Sequence, residues 1–338
     1  MIEKYYNGVI EQVAGGIGNV EHNSILVRYS NDFSIWDLES VNHYKDQTDI
    51  FFTCHEFSYN KIAEAYEPYL GLIRQMFHKY CSGTLEEFME ECDVYKLQRP
   101  VFESYFEKGF CERTEQILID EVEYEQERMR NSIVTMLQKL SEIRPVVIVL
   151  NRFQLASKST MQLSNSLLQV KNKNIGIVLG VNDVQSIPEF AHEEWDAICE
   201  SMDDRNMVYH IGNAGRNMEP DVMDYYSDYE SDDGYRKLNN LVYFLDFDQA
   251  DHHLSKIERR IKFDNFTISE KKHYQLLLLQ IMVSVLQRDI AKALESCEDL
   301  EKLQDQEKEG AFYYNFWMAT SYMYLGKLEE AMIYVQKA

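Results

Sequence analysis

The stretch Arg144-Pro145-Val146-Val147-Ile148-Val149-Leu150-Asn151-Arg152-Phe153-Gln154-Leu155-Ala156-Ser157 decides how this chain is read. Every residue from Pro145 to Leu150 is apolar, and polar residues follow at once. Such a run suits a strand at the centre of a parallel sheet, buried on both faces. Working outward, Ser24–Tyr29, Ile50–Thr53, Ile175–Gly180 and Met207–Ile211 read as further strands. Between them, Tyr69–Tyr80 and Glu112–Glu142 repeat apolar residues at helical steps, with shorter helices expected at Ile35–Tyr44 and Thr160–Gln169. Strands alternating with helices predict an α/β domain with a parallel sheet.

Past residue 235 the strands stop and a motif recurs. Asp246-Phe247-Asp248-Gln249-Ala250, Asp289-Ile290-Ala291-Lys292-Ala293 and Lys327-Leu328-Glu329-Glu330-Ala331 each follow one helical apolar stretch and open another. Their alanines lie 43 and 38 residues apart. The last unit, with Ala319, Tyr322, Gly326, Ala331 and Ala338, resembles a tetratricopeptide repeat, whose period is about 34. There small residues let paired helices approach, the glycine suits the turn, and Tyr322 fills the groove. The earlier units lack the glycine and the tyrosine, so they rest on the turn and on Ala250 and Ala293; a generic bundle of helical hairpins is the alternative. The chain stops at Ala338 within the last repeat's second helix, which leads us to expect a longer parent protein. The expected organisation is an α/β domain over 1–215, an acidic linker over 216–235 and helical repeats over 236–338.

The α/β part resembles the STAND class of P-loop ATPases, signalling relatives of the AAA family. The likeness lies in the layout. Ser24–Tyr29 supplies the first strand, and His55-Glu56-Phe57-Ser58 and Tyr66-Glu67-Pro68-Tyr69-Leu70-Gly71 follow the second. Arg144–Ser157 then stands where the Walker B strand and its exit belong. The resemblance implies a P-loop-NTPase-like domain serving as a switch and a repeat array that senses a partner or ligand.

The chemistry of that family is missing from these residues. A P-loop needs Gly-x-x-x-x-Gly-Lys-Ser/Thr after the first strand, so that backbone N–H groups cradle phosphates, a lysine neutralises them and a hydroxyl binds magnesium. Here Tyr29-Ser30-Asn31-Asp32-Phe33-Ser34-Ile35-Trp36 follows, without glycine or lysine, and Asp32 carries the wrong charge. Gly15-Gly16-Ile17-Gly18-Asn19 precedes the strand and runs into Val20-Glu21, so it reads as a flexible loop. The Walker B acids that hold magnesium and activate water are replaced by Asn151 and Arg152. Asn182 is the nearest polar candidate at the end of the next strand, and Asp183 has no P-loop to work with. No catalytic, cofactor-binding or metal residue is assigned, and no cofactor is expected.

Other constellations stop short of a site. Asp228, Glu230 and Asp232 alternate as in an EF-hand, but Gly234 comes one residue late and position twelve is Asn239. That tract, with its interleaved tyrosines, reads as a solvated interdomain loop. His192-Glu193-Glu194-Trp195-Asp196 lacks the second histidine of a zinc-protease helix, and His252-His253 point about 100° apart on a helix.

A formal charge of −23, from 34 Lys and Arg against 57 Asp and Glu, excludes a phosphate-backbone ligand for lack of a basic cluster. Six scattered cysteines without Cys-x-x-Cys spacing read as buried thiols in a reducing compartment. The longest apolar run, Tyr274–Leu286, is too short for a membrane span. The expectation is therefore a cytoplasmic, non-enzymatic signalling or regulatory scaffold that binds a protein partner or ligand through its repeats. The alternatives are a switch that binds ATP or ADP without efficient hydrolysis, or an α/β enzyme whose cleft the sequence hides.

Overall fold

The computed structural model describes residues 2–19, 23–30, 34–45, 49–58, 61–111, 122–170, 172–182, 187–203, 207–211, 231–263, 267–303 and 310–338. The chain forms two compact units, one of Met1–Glu112 with Glu127–Tyr226, the other of Arg113–Gln126 with Ser227–Ala338. The boundary expected at 215–216 lies outside the described residues. So do Asn31, Asp32, Asp183 and the acidic tract up to Glu230.

Unit one runs α1 (Ile2–Gly15), β1 (Ser24–Tyr29), a 3-10 turn (Ile35–Asp37), α2 (Glu39–Lys45), β2 (Phe51–Glu56), α3 (Tyr69–Tyr80), α4 (Leu85–Glu91) and α5 (Arg99–Lys108). Then come α6 (Val122–Ile143), whose residues up to Gln126 belong to unit two, β3 (Val146–Asn151), α7 (Lys158–Val170), β4 (Ile175–Asn182), α8 (His192–Asp203) and β5 (Val208–Ile211). All five expected strands are present and parallel, in the order β2-β3-β4-β1-β5. β3 and β4 are buried at every residue, as their unbroken apolar runs require.

Three local readings change. The helix expected over Ile35–Tyr44 is interrupted at Leu38, whose backbone is extended, because the Ser34 hydroxyl caps a separate 3-10 turn by accepting from Trp36 N. Strand β2 continues to Glu56, since β3 runs beside it and pairs Glu56 with Asn151. The glycine run that reads as a loop is the end of helix α1: Gly16 N donates to Gln12 O (2.9 Å), and Gly18, at φ +97°, donates to Lys173 O (2.8 Å).

Helix α1 buries Tyr6, Val9, Ile10 and Val13, one face at helical spacing. It lies across β4 and is supported by two glycines there. A Cβ on Gly176 would come within 2.7 Å of Val13 Cγ1, and one on Gly180 would overlap the Tyr6 hydroxyl. Side chains alternate along a strand, so Gly176, Val178 and Gly180 share the face beneath α1. Together with α2, helix α1 covers the face that carries Ile25, Val27, Val147, Val149 and Val178. The connection β1→β2 runs opposite to β2→β3, β3→β4 and β4→β5. Right-handed crossovers therefore put the later helices on the other face.

Unit two contains α9 (Asp232–Tyr243), α10 (Phe247–Phe263), α11 (Glu270–Leu286), α12 (Ile290–Glu301), α13 (Gly310–Tyr324) and α14 (Leu328–Val335). These pack as three successive hairpins, with the first helices α9, α11 and α13 also touching in series. Asp232 to Tyr235, the end of the expected linker, are already helical, capped by Ser231, whose hydroxyl accepts from Gly234 N. The run Tyr274–Leu286 is buried on all sides within α11.

The three motifs build the same turn. Leu245, Arg288 and Gly326 each take a left-handed conformation five residues before the motif alanine. The next residue closes it: Asp246 N donates to Leu241 O (2.8 Å), Asp289 N to Ser284 O (2.8 Å) and Lys327 N to Tyr322 O (3.0 Å). This is the Schellman closure of a helix C-terminus, where glycine costs least. Ala250, Ala293 and Ala331 are buried where the second helix of each hairpin starts. Replacing Gly326 by alanine imposes a Cβ at φ +72°, so we expect a loss of about 1–2 kcal/mol in urea unfolding, with circular dichroism of the folded state unchanged.

His253 is buried in α10 within 2.9 Å of the Gln249 amide nitrogen. Burial, then the neighbouring His252 and Lys256, holds its imidazole down at about 3. The unfolded chain binds this proton near the usual 6.5 while the folded one does not. Stability is therefore complete above that value and falls as pH drops, by about 2 kcal/mol at pH 5 from this group. Urea midpoints between pH 7 and 5 measure the slope, and His253→Gln should remove only its share, because burial, then Lys256, also holds His252 down at about 4.

Candidate functional site

The crevice of an open parallel sheet lies at the carboxyl ends of its strands, where adjacent connections leave in opposite directions. Here that point falls between β1 and β4, which lead to opposite edges of the sheet. The residues that end the strands on the α1 face are Glu56, Asn151, Gly180, Asn182 and Tyr29, with Tyr6 coming down from α1.

Asn151, the last residue of β3, is fully buried. Its Oδ1 accepts from the Tyr29 hydroxyl at 2.8 Å, and its Nδ2 has no hydrogen-bond partner among the described residues. Tyr6 is also fully buried, and burial, then Tyr29 and Glu56, raises its phenol well above the usual value. It stays a neutral hydroxyl at any physiological pH.

Arg152, directly after β3, adopts a left-handed conformation (φ 53°, ψ 42°). Its Nη1 lies 2.9 Å from Glu56 Oε1, with the two side chains only 18% and 11% exposed. The other carboxylate oxygen of Glu56 accepts from Ile35 N (2.9 Å) and from the Ser34 hydroxyl (3.2 Å). One internal carboxylate thus neutralises the arginine and also satisfies the first amide of the turn that follows β1. Asn182 N donates to Gln154 Oε1 at 3.2 Å, so the buried Asn182 is tied to the β3 exit.

A hydroxyl cluster follows β3 at the start of α7. Ser157, Ser159, Thr160 and Ser164, all buried, open helix α7. Ser157 donates to Glu64 O (2.9 Å), Thr160 to Glu67 O (3.1 Å), and Tyr69 and Ser164 share a hydrogen bond of 2.7 Å. They fix the segment 64–69 that leads into α3. His55 Nε2 lies 3.5 Å from Glu67 Oε1 in the same segment.

The sequence brings Asn151 and Arg152 to this crevice, but Glu56, Tyr6 and Tyr29 carry equal weight there. Glu56 is found only once β2 is known to continue past Thr53. Tyr6 requires helix α1, which its i, i+3, i+4, i+7 pattern could have revealed.

Among the repeat residues, Ala319 is buried in α13, and Tyr322 stacks on Tyr334 of α14 with ring centroids 5.6 Å apart. Ala338 is exposed beyond α14. The histidines of the two motifs serve locally, with His192 Nε2 2.9 Å from Ile187 O and the His252 ring edge-on to His253. Among the described residues no three His, Cys, Asp or Glu converge as metal ligands, no disulfide forms, and no helix is long and apolar enough to cross a membrane. Cys92, Cys111 and Cys297 are buried as expected, whereas Cys54, Cys81 and Cys199 are only partly so. Comparison with protein-family models, with curated proteins and with solved structures finds no match to this chain.

Proposed function

We propose that the chain is a non-catalytic signalling or regulatory scaffold, a degenerate STAND-type P-loop domain followed by tetratricopeptide-like repeats that bind a protein partner. The observation that carries this reading is the Glu56 carboxylate. It occupies the amide of Ile35 and the hydroxyl of Ser34 after β1, and it pairs with Arg152. In the P-loop design a phosphate takes the place beside those amides and an acid, not an arginine, ends the third strand. A phosphate arriving here would meet a carboxylate already neutralised, and would have to displace it.

The repeats supply the surface for a partner. Leu328, Met332 and Ile333 on α14 and Phe312 and Met323 on α13 are each about half exposed, more apolar surface than isolated side chains leave in water. The cytoplasmic location rests on the six scattered cysteines without Cys-x-x-Cys spacing.

Hydrolysis is tested by phosphate release from ATP and GTP with magnesium. The outcome expected is a rate equal to the protein-free blank. Magnesium-dependent turnover that Arg152→Ala abolishes would establish an NTPase and remove the proposal.

A further inference from the structure

The β2 edge of the sheet carries a groove of about 630 Å³ that the pseudo-ATPase reading does not use. Its walls include Lys45 of α2, Phe51 and Phe52 of β2, and Arg74, Lys79 and Tyr80 of α3. Phe51 and Phe52 are adjacent in a strand and point to opposite faces. Phe51 meets Tyr80 of α3 on one face, and Phe52 stacks with Tyr44 of α2 on the other. A groove lined by both must straddle the edge of the strand.

The peptide groups at that edge can be assigned. Phe51 N donates to Pro145 O (2.7 Å) and Phe57 N to Asn151 O (3.0 Å), so the odd residues of β2 face β3. By alternation the N–H and C=O of Phe52 and Cys54 face outward. Among the described residues β2 pairs with β3 alone.

Charge separates this groove from the rest of the chain. Its described lining holds three cations, a histidine and no carboxylate, within a chain of net charge −23. Arg74 is engaged, donating to Phe106 O (2.6 Å) and Glu107 O (3.1 Å) at the end of α5. Lys79 lies over the Phe51 and Tyr80 rings at 5.8 and 5.2 Å. Burial pushes the Cys54 thiol up to about 11, and Lys45 is near enough to oppose that shift. The two lysines therefore flank the open amides, one from each face.

The geometry points to strand addition: an extended acidic segment of a partner protein pairs with β2 at Phe52 and Cys54. Its carboxylates meet Lys45 and Lys79, while its apolar side chains rest on the aromatic walls. Main-chain hydrogen bonds give such a site its affinity, and the flanking lysines select for acidic sequences. This inference is independent of whether the carboxyl ends of the strands bind nucleotide.

The test is fluorescence anisotropy of the full chain with a labelled eight-residue peptide of alternating glutamate and valine. Saturable binding is expected. Methylation of alternate peptide nitrogens, which removes the ladder donors, should weaken it about tenfold, and Lys45→Glu with Lys79→Glu by a similar factor. Lys302→Glu, an exposed site in unit two, should leave it unchanged. The inference is overturned by absence of saturation, by equal binding of the methylated peptide, or by indifference to the paired reversal in a variant with native circular dichroism. It is overturned too if Lys302→Glu weakens binding equally, or if a single-stranded oligonucleotide of the same charge displaces the peptide, which would reassign the groove.

Discussion

Gly180→Ala should lower the stability of unit one by about 3 kcal/mol, the largest effect expected of any single methyl in it. The added Cβ would overlap the Tyr6 hydroxyl and lie 2.7 Å from Asn151 Oδ1. Neither can yield cheaply, since Tyr6 and Asn151 are fully buried and Asn151 is held by the Tyr29 hydroxyl. Gly176→Ala meets Val13 Cγ1 at 2.7 Å and Asn23 O at 3.3 Å, looser than the overlap with Tyr6 at Gly180, so the cost should be smaller. Hydrogen exchange of the β4 amides reads the loss in unit one without interference from unit two. Adding Tyr6→Phe should return part of it, because the closest contact is the hydroxyl. A loss below 1 kcal/mol, or no rescue, would show that α1 does not ride on the glycines of β4.

Glu56→Ala is the second large effect. It strips Arg152 of its counter-ion while leaving the guanidinium only 18% exposed, and it also orphans the Ile35 amide. Breaking one side of a buried pair costs about 3–5 kcal/mol, and partial exposure here argues for the lower end. Arg152→Ala should cost less, because Glu56 keeps its bonds to Ser34 and Ile35. Arg152 also leaves a left-handed conformation that alanine does not favour, so Arg152→Gly is the cleaner partner for a double-mutant cycle. Urea unfolding of the four proteins should give a coupling of about 1–3 kcal/mol. Additive losses would mean that the two groups do not act as a pair.

The centre of the sheet was legible because β3 and β4 are written as short continuous apolar runs, the pattern of strands covered on both faces. Tyr69–Tyr80 and Ser24–Tyr29 coincide with observed elements to the residue. Glu56 was hidden because β2 ends in polar residues, and alternation cannot tell a strand that continues beside a partner from a loop. Helix α1 was hidden behind its own terminus, because the glycines after Gln12 look like a loop from either side. Repeats one and two lacked the expected glycine, yet Leu245 and Arg288 adopt its conformation. Tertiary packing holds them there against a cost of about 1–2 kcal/mol, which no local propensity would forecast.

The candidate site shows the same division. That no glycine-rich phosphate cradle follows Tyr29 and no acid pair stands at Asn151-Arg152 could be read directly from the sequence. The arrangement that stands there could not, because it is assembled across the strand ends from Glu56, Arg152 and the start of the next turn. Only register brings these together: Glu56 pairs with Asn151, and Arg152 follows it.

Calorimetric titration of the full chain with ATP and with ADP, each with and without magnesium, measures whether that carboxylate has replaced the ligand. No heat beyond dilution is expected up to about 1 mM nucleotide, a level at which binding at 10 μM would be near saturation. A dissociation constant below about 100 μM that depends on magnesium or is lost in Arg152→Ala would show that the crevice still takes a nucleotide and that Glu56 yields to it.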